Sequence, residues 1–217
     1  MIKKEIIKAG ETRDIVLVLE NETDVEKVFE AEVEKDAVVN WHVAVLGGNN
    51  FKLRIQSHIV GEGGESNINM IFFGSGSSKQ SIFAGNIFDA PNCKGKIFAR
   101  GVVAEKAKSS FVGEIDITLK GGGTDSYLKE EVLMLDPTAV VNAIPSLEIK
   151  TNDVKAGHGV SISKLTDEHL FYLMSRGISR EKARELVLDG FLRSVYNEFG
   201  DEEVADRISD YLEASYA

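Results

Sequence analysis

Few side chains in this sequence can do metal or acid–base chemistry, so their types and spacing matter from the start. The single cysteine, Cys93, lies in Asp89-Ala-Pro-Asn-Cys-Lys, past a proline-containing corner and beside Lys94 and Lys96. A thiolate there is a soft metal ligand, and neighbouring ammonium groups favour the thiolate form. The competing reading is an inert, partly buried small residue. His158 stands between Gly157 and Gly159, which leave its ring open to a neighbouring backbone or subunit. Such an imidazole can bind metal through one nitrogen while an acceptor fixes the other; otherwise it is a structural histidine. His42 and His58 sit in alternating segments without ligand spacing to each other, and His169 falls beside Glu168 at a helix start. These three read as surface or corner residues. Asp125, Glu130 and Glu131 are the one group of close carboxylates that could converge on a glycan, against the plainer reading of a solvated charged face.

Composition narrows the choices. One cysteine rules out an intrachain disulfide and any all-cysteine metal site built from this chain. The net charge is −10, with basic residues interspersed among acids, which is not the footprint of a nucleic-acid binder. No apolar run approaches the roughly 20 residues of a membrane-spanning helix. The opening Met-Ile-Lys-Lys-Glu leads into mixed charge without the apolar centre of an export signal, so a cytoplasmic location is the expectation. Gly74-Ser-Gly-Ser-Ser and Gly121-Gly-Gly lack a following Gly-Lys-Ser/Thr, so they read as corners and not as phosphate loops.

The elements that must hold these residues follow from periodicity. Strand-like pieces at Ile6 to Lys8, Asp14 to Leu19 and Lys27 to Val33 are separated by a turn near Asn21-Glu-Thr-Asp24. Further β-prone segments begin near Val38, Phe51, Ser66, Ser81, Lys96, Ser110, Ser126, Ala139 and Val154, at intervals of 13 to 16 residues. Three of them resemble one another: Ser81-Ile-Phe-Ala-Gly-Asn-Ile, Lys96-Ile-Phe-Ala-Arg-Gly-Val-Val and Ser110-Phe-Val-Gly-Glu-Ile-Asp-Ile. Quasi-repeats with glycine corners and no two-residue hairpin signals predict a solenoid β-helix of two or three strands per coil, not a sandwich.

After Lys164 the apolar period becomes helical. Thr166 or Asp167 can cap a helix bearing Leu170, Leu173 and Met174 and ending at Gly177. Ser179 caps a second helix that ends at Gly190, and Asp201 starts a last one bearing Val204, Ile208, Tyr211 and Leu212. At least two of Phe171, Tyr172 and Leu173 are expected to pack onto the solenoid's end. The division is therefore a β-helix core over residues 1–164 and a helical subdomain over 165–217.

Four ordered motifs carry a resemblance: Pro145-Ser-Leu-Glu-Ile, Asp153-Val-Lys-Ala-Gly-His-Gly, Leu170-Phe-Tyr-Leu-Met-Ser-Arg-Gly-Ile178 and Gly190-Phe191. They resemble the C-terminal signature of the SufB/SufD family, scaffold proteins of iron–sulfur cluster assembly. Looser similarity runs back through Val132-Leu-Met-Leu and Phe111-Val-Gly-Glu-Ile to about residue 40. The resemblance implies a right-handed parallel β-helix with a small C-terminal α-helical subdomain. It further implies a non-enzymatic scaffold whose tail docks a SufC-like ABC ATPase, with ATP hydrolysis in that partner. Two scaffold subunits would join, as a homodimer or as a heterodimer with a SufB/SufD paralogue, around a transient iron–sulfur cluster whose candidate residues are Cys93 and His158.

His158 matches a family histidine implicated in cluster assembly. The sequence departs from the family by starting almost directly with strand, like a shortened archaeal or minimal-system version. Lys129 stands where the SufB branch has a cysteine and Gly159 where it has a glutamate, so His158-Gly159 resembles SufD. Two other functions fit the residues: a carbohydrate-active β-helix enzyme using Asp125, Glu130 and Glu131, and a structural SufD-like dimer partner without any ligand.

Overall fold

A computed structural model describes residues 2–216. Its strands are β1 (Ile2–Ile7), β2 (Thr12–Glu20), β3 (Glu26–Val33), β4 (Val38–Leu46), β5 (Phe51–Ile59), β6 (Glu65–Gly74), β7 (Lys79–Phe88), β8 (Lys94–Val103), β9 (Lys108–Ile117), β10 (Thr124–Met134), β11 (Val140–Ile149) and β12 (Val154–Lys164). Helices α1 (Asp167–Met174), α2 (Arg180–Tyr196) and α3 (Glu202–Tyr216) follow, with a 3-10 turn at Asn197–Phe199. No helix among the described residues is long and apolar enough to cross a membrane.

The odd strands form one six-stranded sheet and the even strands another, each in sequence order. Every pairing is parallel and in register: Trp41 lies beside Ile68, Ile68 beside Ile97, Ile97 beside Leu128. The chain is thus a flattened parallel β-solenoid with two strands per coil, the lower of the two values its spacing allows. One circuit lengthens from 26 residues (Thr12 to Val38) to 32 (Lys108 to Val140).

Alternation puts every second side chain into the space between the sheets. In β9, Ser109, Phe111, Gly113, Ile115 and Ile117 are buried while the residues between them are not. Phe72 and Phe111 stack across this lumen with centroids 5.9 Å apart. A chain of polar residues inside the middle coils is paired: Trp41 Nε1–H donates to Ser57 Oγ at 3.0 Å, and Ser66 Oγ–H lies 2.8 Å from Ser57 Oγ and 2.9 Å from Asn86 Oδ1.

Strands β4, β6, β8 and β10 of the even sheet are buried on both faces over most of their later halves. Outward residues Ala44, Leu46, Ile71, Phe73, Val102 and Leu133 share a second apolar cluster with Leu188, Leu192, Val195, Tyr196, Phe199, Ile208 and Leu212. The helical tail therefore lies along the side of the solenoid and does not cap its end. Helix α2 runs through Gly190 to Tyr196, because burial of Leu192 and Val195 outweighs the ~1 kcal/mol helix penalty of one glycine. Helix α1 corrects another expectation: Leu170 is buried and Leu173 half-buried, whereas Phe171 and Tyr172 face solvent. Packing along the sheet engages α2 and α3 and leaves one side of α1 uncovered.

Candidate functional site at the last coil

Among the described residues β11 and β12 end their sheets, β12 pairing with β10 alone and β11 with β9 alone. Inward positions of this last coil have no further coil above them among the described residues. His158 lies in register with Leu128, an inward and fully buried side chain. By parity it shares that inward side, but on the last strand it remains exposed. The flanking glycines face the other way. A Cβ at Gly159 would lie 2.8 Å from Tyr127 Oη and one at Gly157 would lie 3.3 Å from the Tyr127 ring. These glycines make room for a tyrosine on the outer face, and the open end of the stack, not the glycines, leaves the imidazole accessible.

Glu130 was not singled out as a lone residue by the sequence. It lies inward on β10, in register with Val160 on β12, about 8 Å from His158 by strand spacing and rise. The residue is fully buried and neither carboxyl oxygen has a hydrogen-bond partner among the described residues. Burial disfavours its charged form and pushes its pKa up to about 8. A largely protonated carboxyl thus lies one diagonal step from an exposed imidazole. Thr124 Oγ1 and Ser126 Oγ, also inward on β10, are buried without partners as well. The signal in the sequence was parity: Glu130 occupies the inward register of Leu128 and Val132.

The other acids do not join it. Asp125 and Glu131 have the opposite parity, Asp125 exposed and Glu131 tied to Arg100 Nε at 2.7 Å and Lys129 Nζ at 3.0 Å. Burial would raise the Glu131 pKa, but the hydrogen bonds from Lys129 and Arg100 outweigh it and hold the carboxyl below its usual range. Successive strand residues point to opposite faces, so Asp125, Glu130 and Glu131 do not converge, and the carbohydrate-enzyme reading loses its only carboxylate cluster.

Cys93 lies at the corner before β8 and is fully buried. Its Sγ–H points at the carbonyls of Ala90 (3.1 Å), Pro91 (3.4 Å) and Gly61 (3.5 Å). Burial pushes the thiol up to about 11, against the pull of the Gly63 and Gly64 amides. The expected help from Lys94 and Lys96 is missing because both side chains are exposed, on the other side of the strand. Cys93 lies inward of Thr124, which pairs with Val154, four residues before His158. Two strand spacings and four residues of rise separate Cys93 from His158 by on the order of 16 Å, so one chain does not bring the two to a single metal ion. No three His, Cys, Asp or Glu side chains among the described residues gather as a metal site.

His58 is exposed, as expected. His169 Nδ1 accepts from the Thr166 amide at 3.2 Å, closing a capping box at α1. His42 is not a surface residue: only 6% of it is exposed, Nε2 is 3.6 Å from Asp14 Oδ1, and its ring is 5.2 Å from that of Phe199. Burial lowers its pKa. The packing of the helical tail, invisible from the strand pattern, encloses it.

Residues 20–191 match the family model described as the SUF system FeS cluster assembly, SufBD core domain. The chain belongs to the SufBD family. It is 30% identical over 193 residues to an iron–sulfur cluster assembly SufBD family protein of Mycobacterium bovis, covering 84% of this chain and 48% of that one. It is 29% identical over 179 residues to the iron–sulfur cluster assembly protein SufD of Bacillus subtilis, covering 82% of this chain and 41% of the relative. A SufBD family protein of Staphylococcus epidermidis is 32% identical over 134 residues, 62% of this chain and 29% of that one. The chain thus spans about half the length, or less, of these SufBD relatives. Within the family match fall the whole of β3 to β12, including Cys93, Glu130 and His158, and the first part of α2.

Proposed function

We propose that this chain is a non-enzymatic scaffold of iron–sulfur cluster assembly, with the cluster as cargo held between its last coil and a second SufB/SufD-type subunit. One observation carries the reading: His158 projects from an end strand whose outer backbone edge is unpaired among the described residues, on the same side as exposed Val160 and Ile162. Such an edge is a ready template for another chain, and an imidazole on it offers one ligand while the second subunit supplies thiolates. Glu130 supplies a carboxyl behind it. In this reading Cys93 is a reserve thiol that becomes a sulfur acceptor or ligand only if its corner opens. A SufC-like ABC ATPase would dock on the uncovered side of α1 and α2, where Phe171, Tyr172 and Leu186 are 71%, 58% and 43% exposed, and ATP hydrolysis would belong to that partner.

The test is anaerobic reconstitution of the full chain with iron, sulfide, the ATPase and the paralogous subunit, followed by absorbance and sizing. The expected result is a complex whose cluster absorbance falls several-fold with His158→Ala and is little changed by Cys93→Ala. A complex that carries the cluster equally well without His158 would sink the ligand role and leave a purely structural dimer partner. Failure of any ATPase or second subunit to co-elute would sink the scaffold reading itself.

A further inference from the structure

An open groove of about 710 Å³ runs along the outer face of the even sheet, where the polar first halves of the strands meet the end of α2. Its floor is two rows in register: Asp14, Asn40, Asn67, Lys96 and Tyr127, and beside them His42, Asn69, Phe98 and Lys129. The volume suits a ligand of small-molecule size, and convergent polar groups of fixed orientation are what such sites require.

The floor is graded in charge. Asp14 and Glu198 line one end and Lys96 and Lys129 the other, with Glu65 on the strand between, one diagonal step from Lys96. Several of these groups are already held: Asn40 Nδ2 donates to Asp14 Oδ1 at 2.9 Å, Asn67 Nδ2 to Asn40 Oδ1 at 3.0 Å and to Glu65 Oε1 at 2.8 Å. The Lys129 ammonium is engaged by Glu131 and lies 5.3 Å from the Phe98 centroid. By contrast, Lys96 Nζ, the Asn69 carboxamide and Tyr127 Oη have no hydrogen-bond or ion-pair partner among the described residues. Tyr127 is 46% exposed, its ring seated on Gly157 and Gly159, and it lines the groove together with Lys96 of the neighbouring strand.

We propose that this groove binds a hydroxylated ring carrying one anionic group, a sugar phosphate or a sugar acid. Lys96 takes the anion, the ring lies against Tyr127, and Asn69 bonds ring hydroxyls. The carboxylates of Asp14 and Glu198 accept from hydroxyls at the far end and repel a second anionic group. The site lies on the opposite side of the even sheet from inward-facing His158 and does not depend on the cluster reading.

The test is titration of the full chain with glucose 6-phosphate and, separately, glucuronate, by calorimetry and by amide chemical-shift mapping, with glucose and inorganic phosphate as controls. The expected Kd for at least one ring anion is on the order of 0.1–1 mM for a ligand of this size, with shifts centred on Asn69, Lys96 and Tyr127. Lys96→Gln and Asn69→Ala should each weaken binding by about tenfold at an unchanged melting temperature, and each control should bind at least about tenfold more weakly. A preference for one ring anion identifies which anionic group the site takes. Three results overturn the proposal: no saturable binding of either, shifts centred elsewhere, or binding by phosphate alone as tight as by the sugar phosphate.

Discussion

The middle coils and the last coil are built on the same parallel ladder, yet they treat polar and apolar groups in opposite ways. In the middle, most polar side chains inside the lumen are paired, as in the Trp41, Ser57, Ser66 and Asn86 chain, Ser78 Oγ being an exception, and apolar side chains outside, such as Phe73, are covered by α2 and α3. At the last coils, Thr124, Ser126 and Glu130 are buried without partners, while Val140, Ile144 and Ile162 stay exposed. Buried polar groups without partners and apolar groups in water both raise the free energy. The difference teaches that the middle coils satisfy themselves largely through the tail and their neighbours, whereas the last coil leaves open the edge on which the proposed second subunit would sit.

The comparison can be broken most directly in the middle. Phe73→Ala, at a side chain 1% exposed and edge-on to Tyr211 at 6.2 Å, should lower unfolding stability by about 3–5 kcal/mol, measured by urea denaturation. A loss below about 1 kcal/mol would mean that the tail is not seated there. Next comes Glu130→Gln. Below about pH 4.5 the folded and unfolded chains both hold the Glu130 proton. Between 4.5 and 8 the unfolded chain releases it while the folded one keeps it, so the native protein loses stability across that window. The glutamine variant should match the native chain near pH 4.5 and exceed it by on the order of 3 kcal/mol at pH 8, as read by melts at the two pH values. Equal stability at pH 8 would show that Glu130 has a partner or water in solution.

Smaller effects sharpen the same contrast. Ser66→Ala should cost about 1–3 kcal/mol, because Asn86 Oδ1 would be left buried without its donor; a neutral result would remove the distinction between paired and unpaired lumen polarity. His158→Ala should change the stability of the isolated chain by no more than about 0.5 kcal/mol, since the side chain is exposed. A larger loss would make His158 a structural residue after all.

Much of this architecture was legible in the sequence because solenoid strands repeat under one rule. The segments expected at Val38, Phe51 and Val154 begin at those residues and the rest lie within two residues of their expected starts, except the first, expected at Ile6 and starting at Ile2. The placement of the tail was not legible from helical period alone. Its signal was in the strands: runs such as Val43-Ala-Val-Leu46 and Met70-Ile-Phe-Phe73 abandon alternation because both faces are buried. The site was half legible. His158 could be placed on the last strand, but the accessibility of its ring comes from the end of the stack, and Glu130 emerges only from its inward parity. Cys93 misled because proximity to lysines in sequence says nothing of burial, and the corner fold places the sulfur inside while Lys94 and Lys96 stay in water.

A stack of parallel coils touches only its neighbours, so by itself it can fray from either end one coil at a time. The tail changes that. Arg207 reaches Glu20 Oε2 at 2.9 Å and Tyr211 reaches Asn21 Oδ1 at 3.0 Å, while Arg100 donates to the Phe191 carbonyl at 2.5 Å. Even the corner beneath fits, since Gly47, at φ 70°, leaves the space that the Tyr211 hydroxyl occupies. Helices α2 and α3 thus fasten β2 to β8 like a strap across stacked plates. A pull on α2 or α3 would be felt by several coils at once, and the chain should yield to force in one large step and not as a series of small ones.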